Sequence, residues 1–133
     1  MNDRYLAIKV VMMPRDTNPA GTIFGGVLLS YIDQAAAIGA RYAIHQAVGA
    51  PPEVIVTVGM NKIDFHKPVL VGDVVSFWTS VHKWGRTSIT VHVWVQAERG
   101  TQTLGVTEAE VTYVNVKKNA DGTLTPIPIK SEA

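Results

Sequence analysis

Cysteine is absent from the 133-residue sequence. Its absence removes disulfides, cysteine-ligated zinc and any thiol nucleophile, and it fits a reducing compartment. Charge is scarce: Asp, Glu, Lys and Arg together make up 17%, against roughly 25% in ordinary soluble domains. The 12 basic and 11 acidic residues leave a net charge of +1, and no basic block marks a nucleic-acid surface, so DNA binding is disfavoured. Long hydrophobic runs are missing as well. The stretch 6–13 is interrupted by Lys9 and is not followed by a small-residue cleavage site, so it does not resemble an export signal. No run approaches the ~20 apolar residues that span a bilayer. A soluble, cytoplasmic protein is the expectation. Also missing are a GxSxG elbow and the GxGxxG and GxxxxGK[ST] phosphate loops, while His45, His66, His82 and His92 have no metal-ligand spacing. Serine-triad, phosphate-loop and metal chemistry all lose support, and His82 and His92 read as sheet-face side chains.

What is present is apolar. Hydrophobic residues reach 47%, more than a lone monomer of this size readily hides, and an oligomer is expected. The length suits one domain over residues 1–133, with a core that needs no metal or disulfide to hold it. Residues 5–13 read as a first strand, and 14–21, rich in Pro, Asp, Asn and Gly, as a loop. From 24 to about 46 the chain is mostly Ala, Leu, Ile and Tyr, with apolar residues on nearly every side of a 3.6-residue period, which predicts a buried helix. Gly49-Ala50-Pro51-Pro52 ends it. Four strands follow, at about 54–65, 74–83, 88–98 and 104–116, broken at 68–73, Gly85 and Gly100. In the third, Ile89, Val91, Val93, Val95 and Ala97 alternate with polar residues, Trp94 being the bulky exception. The strands lie too close for crossover helices, so hairpins and an antiparallel sheet are expected. The fold class is α+β, a five-stranded antiparallel sheet wrapped around one long hydrophobic helix. The tail over about 119–133 reads as loose.

Two features resist a purely structural explanation. Asp33 is the one acidic residue of the helix. A buried carboxylate meets hydrogen-bond donors, becomes protonated or lines a site open to water; otherwise Asp33 faces solvent on a thin polar seam with Ser30 and Gln34. Gly25-Gly26 opens the helix. Unpaired N–H groups at a helix's positive end can polarise a carbonyl, although the glycines would equally allow tight helix-to-sheet packing. Gly25 and Asp33 stand eight residues apart, about 12 Å along one helix, too far to share one carbonyl. Two helices packed antiparallel about a two-fold axis would bring Gly25 of one chain to Asp33 of the other.

Asp16-Thr17-Asn18-Pro19-Ala20-Gly21-Thr22-Ile23-Phe24-Gly25-Gly26 with Tyr31-Ile32-Asp33, the segment from Phe65 through His66-Lys67-Pro68 to Gly72-Asp73, and Gly85-Arg86-Thr87-Ser88 together resemble the hotdog-fold acyl-CoA thioesterases of the YciA-like bacterial branch. The resemblance covers nearly the whole chain. It implies hydrolysis of an acyl-CoA to free acid and CoA, with no metal and no cofactor beyond the CoA of the substrate, by a dimer or a trimer of dimers. By the same resemblance Asp33 is the catalytic carboxylate, acting as general base or as nucleophile. Gly25 is the backbone oxyanion donor, and Asn18 orients water or the carbonyl. Phe24 stands where many hotdog enzymes carry histidine. Gly85, Arg86, Thr87 and Ser88 resemble the family's contacts to CoA, and Lys67 is a further candidate there. The alternatives are a non-enzymatic acyl-CoA-binding or sensing module, which needs no buried acid, and a hotdog dehydratase, which needs a catalytic histidine at the helix.

Overall fold

A computed structural model of the chain describes residues 3–129. Strand β1 (Tyr5–Val11) leads through a 3-10 turn at Pro14–Asp16 into the single long helix α1 (Gly25–Val48). After it come β2 (Val54–Asn61), β3 (Val74–Trp84), β4 (Ser88–Arg99), β5 (Gln102–Lys118) and a short β6 (Leu124–Pro126). All pair antiparallel in the order β1-β3-β4-β5-β2, with β6 on β5. The hairpins expected in series occur only from β3 to β5. Strand β2 crosses to the far side of β5, and the segment 62–73, with Pro68 and Gly72, is long enough to carry the chain back across.

The alternation read in β4 is borne out: Ile89, Val91, Val93, Val95 and Ala97 are all buried against the helix side. On the outer face Trp94 lies under the guanidinium of Arg4, 3.7 Å from its ring centroid, and beside the His92 ring. Strand β2 stops at Asn61, short of the expected Phe65, because Lys62 takes a left-handed conformation with φ 61° and breaks the extended chain.

Helix α1 packs on every strand from β1 to β5. Its buried stripe is Leu28, Ile32, Ala35, Ala36, Gly39, Ala40 and Ile44, recurring every three or four residues. A side chain at Gly39 would overlap Thr79 of β3, so the missing Cβ is what seats the helix on the sheet. Gly49, at φ 84°, closes the helix by donating its N–H to the His45 carbonyl. The expectation of burial on nearly every side does not hold in a single chain. Phe24, Ile38 and Tyr42 remain 46%, 39% and 44% exposed, because the sheet covers only one side of the helix.

The tail is likewise ordered where a loose segment was expected. Asn119 and Gly122 close a turn that returns β6 onto β5, and Ile127 and Ile129 donate N–H groups to the carbonyls of Asn115 and Arg86. Burial of the Ile129 side chain in the core anchors the return. Residues 130–133 of that expected tail lie outside the described residues.

Candidate active site

Asp33 lies on the β2 side of α1, half-buried. Tyr113 of β5 donates its phenolic proton to Asp33 at two points, 2.8 Å from Oδ1 and 2.5 Å from the backbone carbonyl. Thr57 of β2 donates its hydroxyl to the same Oδ1 at 2.9 Å. Thr57 and Tyr113 are directly paired across the two strands, so one rung of the sheet delivers both donors. Next to Thr57 the register shifts, and the extra residue Val58 stands 59% exposed on this edge strand. Of the readings left open for Asp33, the structure gives the one with donors. Tyr113 itself is 1% exposed. Burial first, then the Asp33 carboxylate it faces, push its phenol well above the usual tyrosine range, so it is a proton donor throughout the working range.

Gly25 and Gly26 begin α1, where N–H groups have no intrahelical acceptor, and no acidic residue in the first turn offsets the positive end. Both have room in their own chain: a Cβ at Gly25 would make only an ordinary contact with Phe65, and one at Gly26 meets nothing. Packing within the chain therefore does not require either glycine. Asn18 sits in the preceding loop, which is closed by the Thr17–Ile23 bridge and by the Phe24 N–H on the Asp16 carbonyl. The Asn18 side chain holds that loop, accepting from the N–H groups of Ala20 and Thr22 and donating to the Thr22 hydroxyl. One of its two amide protons is then left for another acceptor.

Gly85, Arg86, Thr87 and Ser88 form the β3–β4 turn. A side chain at Gly85 would overlap the Ser88 hydroxyl, and the Gly85 N–H bonds the Ser88 carbonyl, so this glycine is fixed by the turn. The Thr87 carbonyl accepts from Asn115, two residues beyond Tyr113, and exposed Arg86 is held through its own carbonyl by Ile129. Lys67 is exposed at the other end of the molecule, where His66 bonds Val106 and Ile23 bonds Val69 beside the helix start. Val106 and Asn115 are nine residues apart on β5, about 30 Å of strand. A single chain thus groups Asp33 with the Arg86 turn and groups Gly25 and Asn18 with Lys67, and it does not bring the two groups together.

A family model described as the thioesterase superfamily matches residues 20–104. The chain belongs to that superfamily. It is 38% identical over 130 residues, 94% of this chain and 91% of the relative, to the acyl-CoA thioester hydrolase YciA of Salmonella typhimurium. Its fold is similar to a hexameric hotdog fold thioesterase of Campylobacter jejuni, with a TM-score of 0.76 and 44% identity over 92% of this chain and 89% of that one. It also resembles the acyl-CoA hydrolase of Staphylococcus aureus in complex with butyryl coenzyme A, coenzyme A and coenzyme A disulfide. There the TM-score is 0.73, with 26% identity over 95% of this chain and 71% of that one. The one-helix antiparallel sheet is accordingly the hotdog fold of these thioesterases.

Sequence reasoning about this thioesterase missed Thr57 and Tyr113. The available signal was an unmet need on each side: a carboxylate on an apolar helix wants donors, and a core tyrosine wants an acceptor for its hydroxyl. His92 bonds Glu108 at 2.8 Å and His82 approaches Glu110 at 3.5 Å, both on the outer sheet face as expected. Among the described residues no group of three or more His, Asp or Glu side chains is arranged to hold a metal ion.

Proposed function

We propose that this thioesterase hydrolyses acyl-CoA to a free carboxylic acid and CoA at a site shared by two copies of the chain. The observation that carries the reading is the Asp33 carboxylate, anchored by two hydroxyls on a half-open helix face. Asp33 takes a proton from water as the water oxygen adds to the thioester carbonyl. The oxyanion that forms accepts from the N–H of Gly25 at the positive helix end of the second chain. Collapse breaks the C–S bond, and the proton held by Asp33 passes to the departing CoA thiolate. Direct attack by the carboxylate, followed by hydrolysis of the acyl-aspartate, requires the same two groups.

Asn18, beside the helix start, orients the water or the carbonyl with its remaining amide proton. Arg86, Thr87 and Ser88 receive the phosphates of CoA at the Asp33 end, and Lys67 of the second chain adds charge from the Gly25 end. Hexameric structural relatives support assembly as three such dimers, each chain one hotdog domain over residues 1–133. The chemistry needs only substrate, water, these side chains and the Gly25 backbone N–H.

Asp33→Asn preserves volume while removing the base. It should leave folding and assembly unchanged and lower turnover of acyl-CoA by roughly 10²-fold or more, read as thiol release. An Asp33→Asn protein of wild-type activity would overturn the mechanism.

A further inference from the structure

We infer that Tyr113 is the positioning residue of the site, clamping residue 33 by its side chain and backbone at once so that Oδ2 of Asp33 is the oxygen that meets water or thioester. The inference rests on the reading of Asp33 given above. Both hydroxyl donors fall on Oδ1, and among the described residues no hydrogen bond falls on Oδ2. A carboxylate held at one oxygen from two directions has its rotamer fixed and its second oxygen left to solvent or substrate. Thr57, exposed on an edge strand, cannot do this alone, since a hydroxyl on one oxygen still leaves the side chain free to turn about it. Tyr113 adds the second point by bonding the carbonyl of the same residue. Its ring is packed in the core cluster that holds the helix, so the hydroxyl cannot follow a moving carboxylate.

The shape of the clamp explains why a large side chain is used. Tyr113 lies on β5 and must reach across the layer between sheet and helix, which a serine or threonine at that position could not span. The phenol also stays protonated, so it can only donate to the carboxylate and never competes with it for a proton.

The test is Tyr113→Phe, which keeps the ring and removes the two bonds, with Thr57→Val as a surface variant that does not threaten the core. Turnover of acyl-CoA should fall by about 10-fold in Tyr113→Phe, since a hydrogen bond to a charged group is at stake. KM should change by less than about 2-fold, because the phenol touches no substrate group. The double variant should lose less than the product of the two single losses, because both donors serve one oxygen.

A readout independent of turnover is the carboxyl carbon line of Asp33 in 13C NMR at fixed pH, identified by its disappearance in Asp33→Asn. It should be single and sharp in the wild type, and shifted or broadened in Tyr113→Phe. If the wild type hydrolyses no acyl-CoA, the functional reading fails, while the NMR line still decides the clamp. If the line stays in place in Tyr113→Phe and kcat stays within about 2-fold of wild type, Tyr113 is a packing residue only and the clamp is refuted, whatever happens to thermal stability.

Discussion

At the scale of single residues, what was legible in the sequence is a set of needs, and what was not legible is how they are met. Asp33 stands out because an acidic side chain on an apolar helix is costly without donors. Its donors come from 24 and 80 residues away in the chain, separations that no local periodicity carries. Asn18 was legible as a polar group before the helix, yet most of its bonding capacity goes into its own loop. Arg86 was legible as a cation in a glycine turn. The structure adds that the turn is pinned from both sides, by Asn115 and by the returning tail. If Arg86 binds the phosphates of CoA, its contribution is made far from the reacting carbonyl and is the same in ground and transition states. Arg86→Ala should therefore raise KM for acyl-CoA about 10-fold or more and leave kcat within about 2-fold. Acyl-pantetheine, which lacks the nucleotide phosphates, should be hydrolysed equally by both proteins. A loss confined to kcat would show that Arg86 acts elsewhere.

At the scale of elements, the strands whose partners are their sequence neighbours were read well, and the pairings made across the sheet were not. The alternation of β4 assigns its faces, and glycines mark the ends of β3 and β4, so the β3–β4–β5 meander follows from local pattern. The position of β2 on the far side of β5, and of β6 beside it, depends on long-range register. One side chain that fastens the β3–β4 pair to the segment returning from β2 is Asp73, 2% exposed just before β3. The Arg99 guanidinium at the end of β4 grips it with two parallel bonds of 3.0 and 2.8 Å, and the Leu70 N–H adds a third. The hydrogen bonding of Arg99 holds the Asp73 carboxyl below its ordinary value of 3.8, outweighing the opposing effect of burial. The folded protein then binds fewer protons at Asp73 than the unfolded chain does. Its stabilising effect is complete above pH 3.8 and is lost as the pH falls towards the lower folded value. Thermal unfolding followed across acid pH should show the wild type losing midpoint temperature below about pH 4. Asp73→Asn should start from a lower midpoint at neutral pH and decline less steeply in acid. Parallel curves for the two proteins would remove Asp73 from the account.

At the scale of the whole molecule, composition already pointed to an oligomer, and the structure leaves apolar surface along the helix uncovered. The sheet leaves Ile38 and Tyr42 of α1, and Phe24 at its N-cap, open. In the proposed reading the two ends of the molecule supply complementary halves of a site, acid and arginine at one, helix N–H groups and lysine at the other. A two-fold axis between antiparallel helices would complete two sites at once. Complementation tests this directly. Asp33→Asn and Gly25→Val should each be inactive when refolded alone; a Cβ at Gly25 meets only an ordinary contact with Phe65 within its own chain. Refolded together, about half of the dimers pair one chain of each kind. In such a dimer one site carries both lesions and the other carries neither, so thioester hydrolysis should return to about one quarter of wild type. A site built within one chain could not recover, because every chain in the mixture carries a lesion. With heterodimers confirmed by native mass, and with Gly25→Val shown to assemble normally on its own, an absence of recovery would place Gly25 and Asp33 of the same chain in the same site. The two-fold arrangement would then be wrong even if the hydrolysis is right.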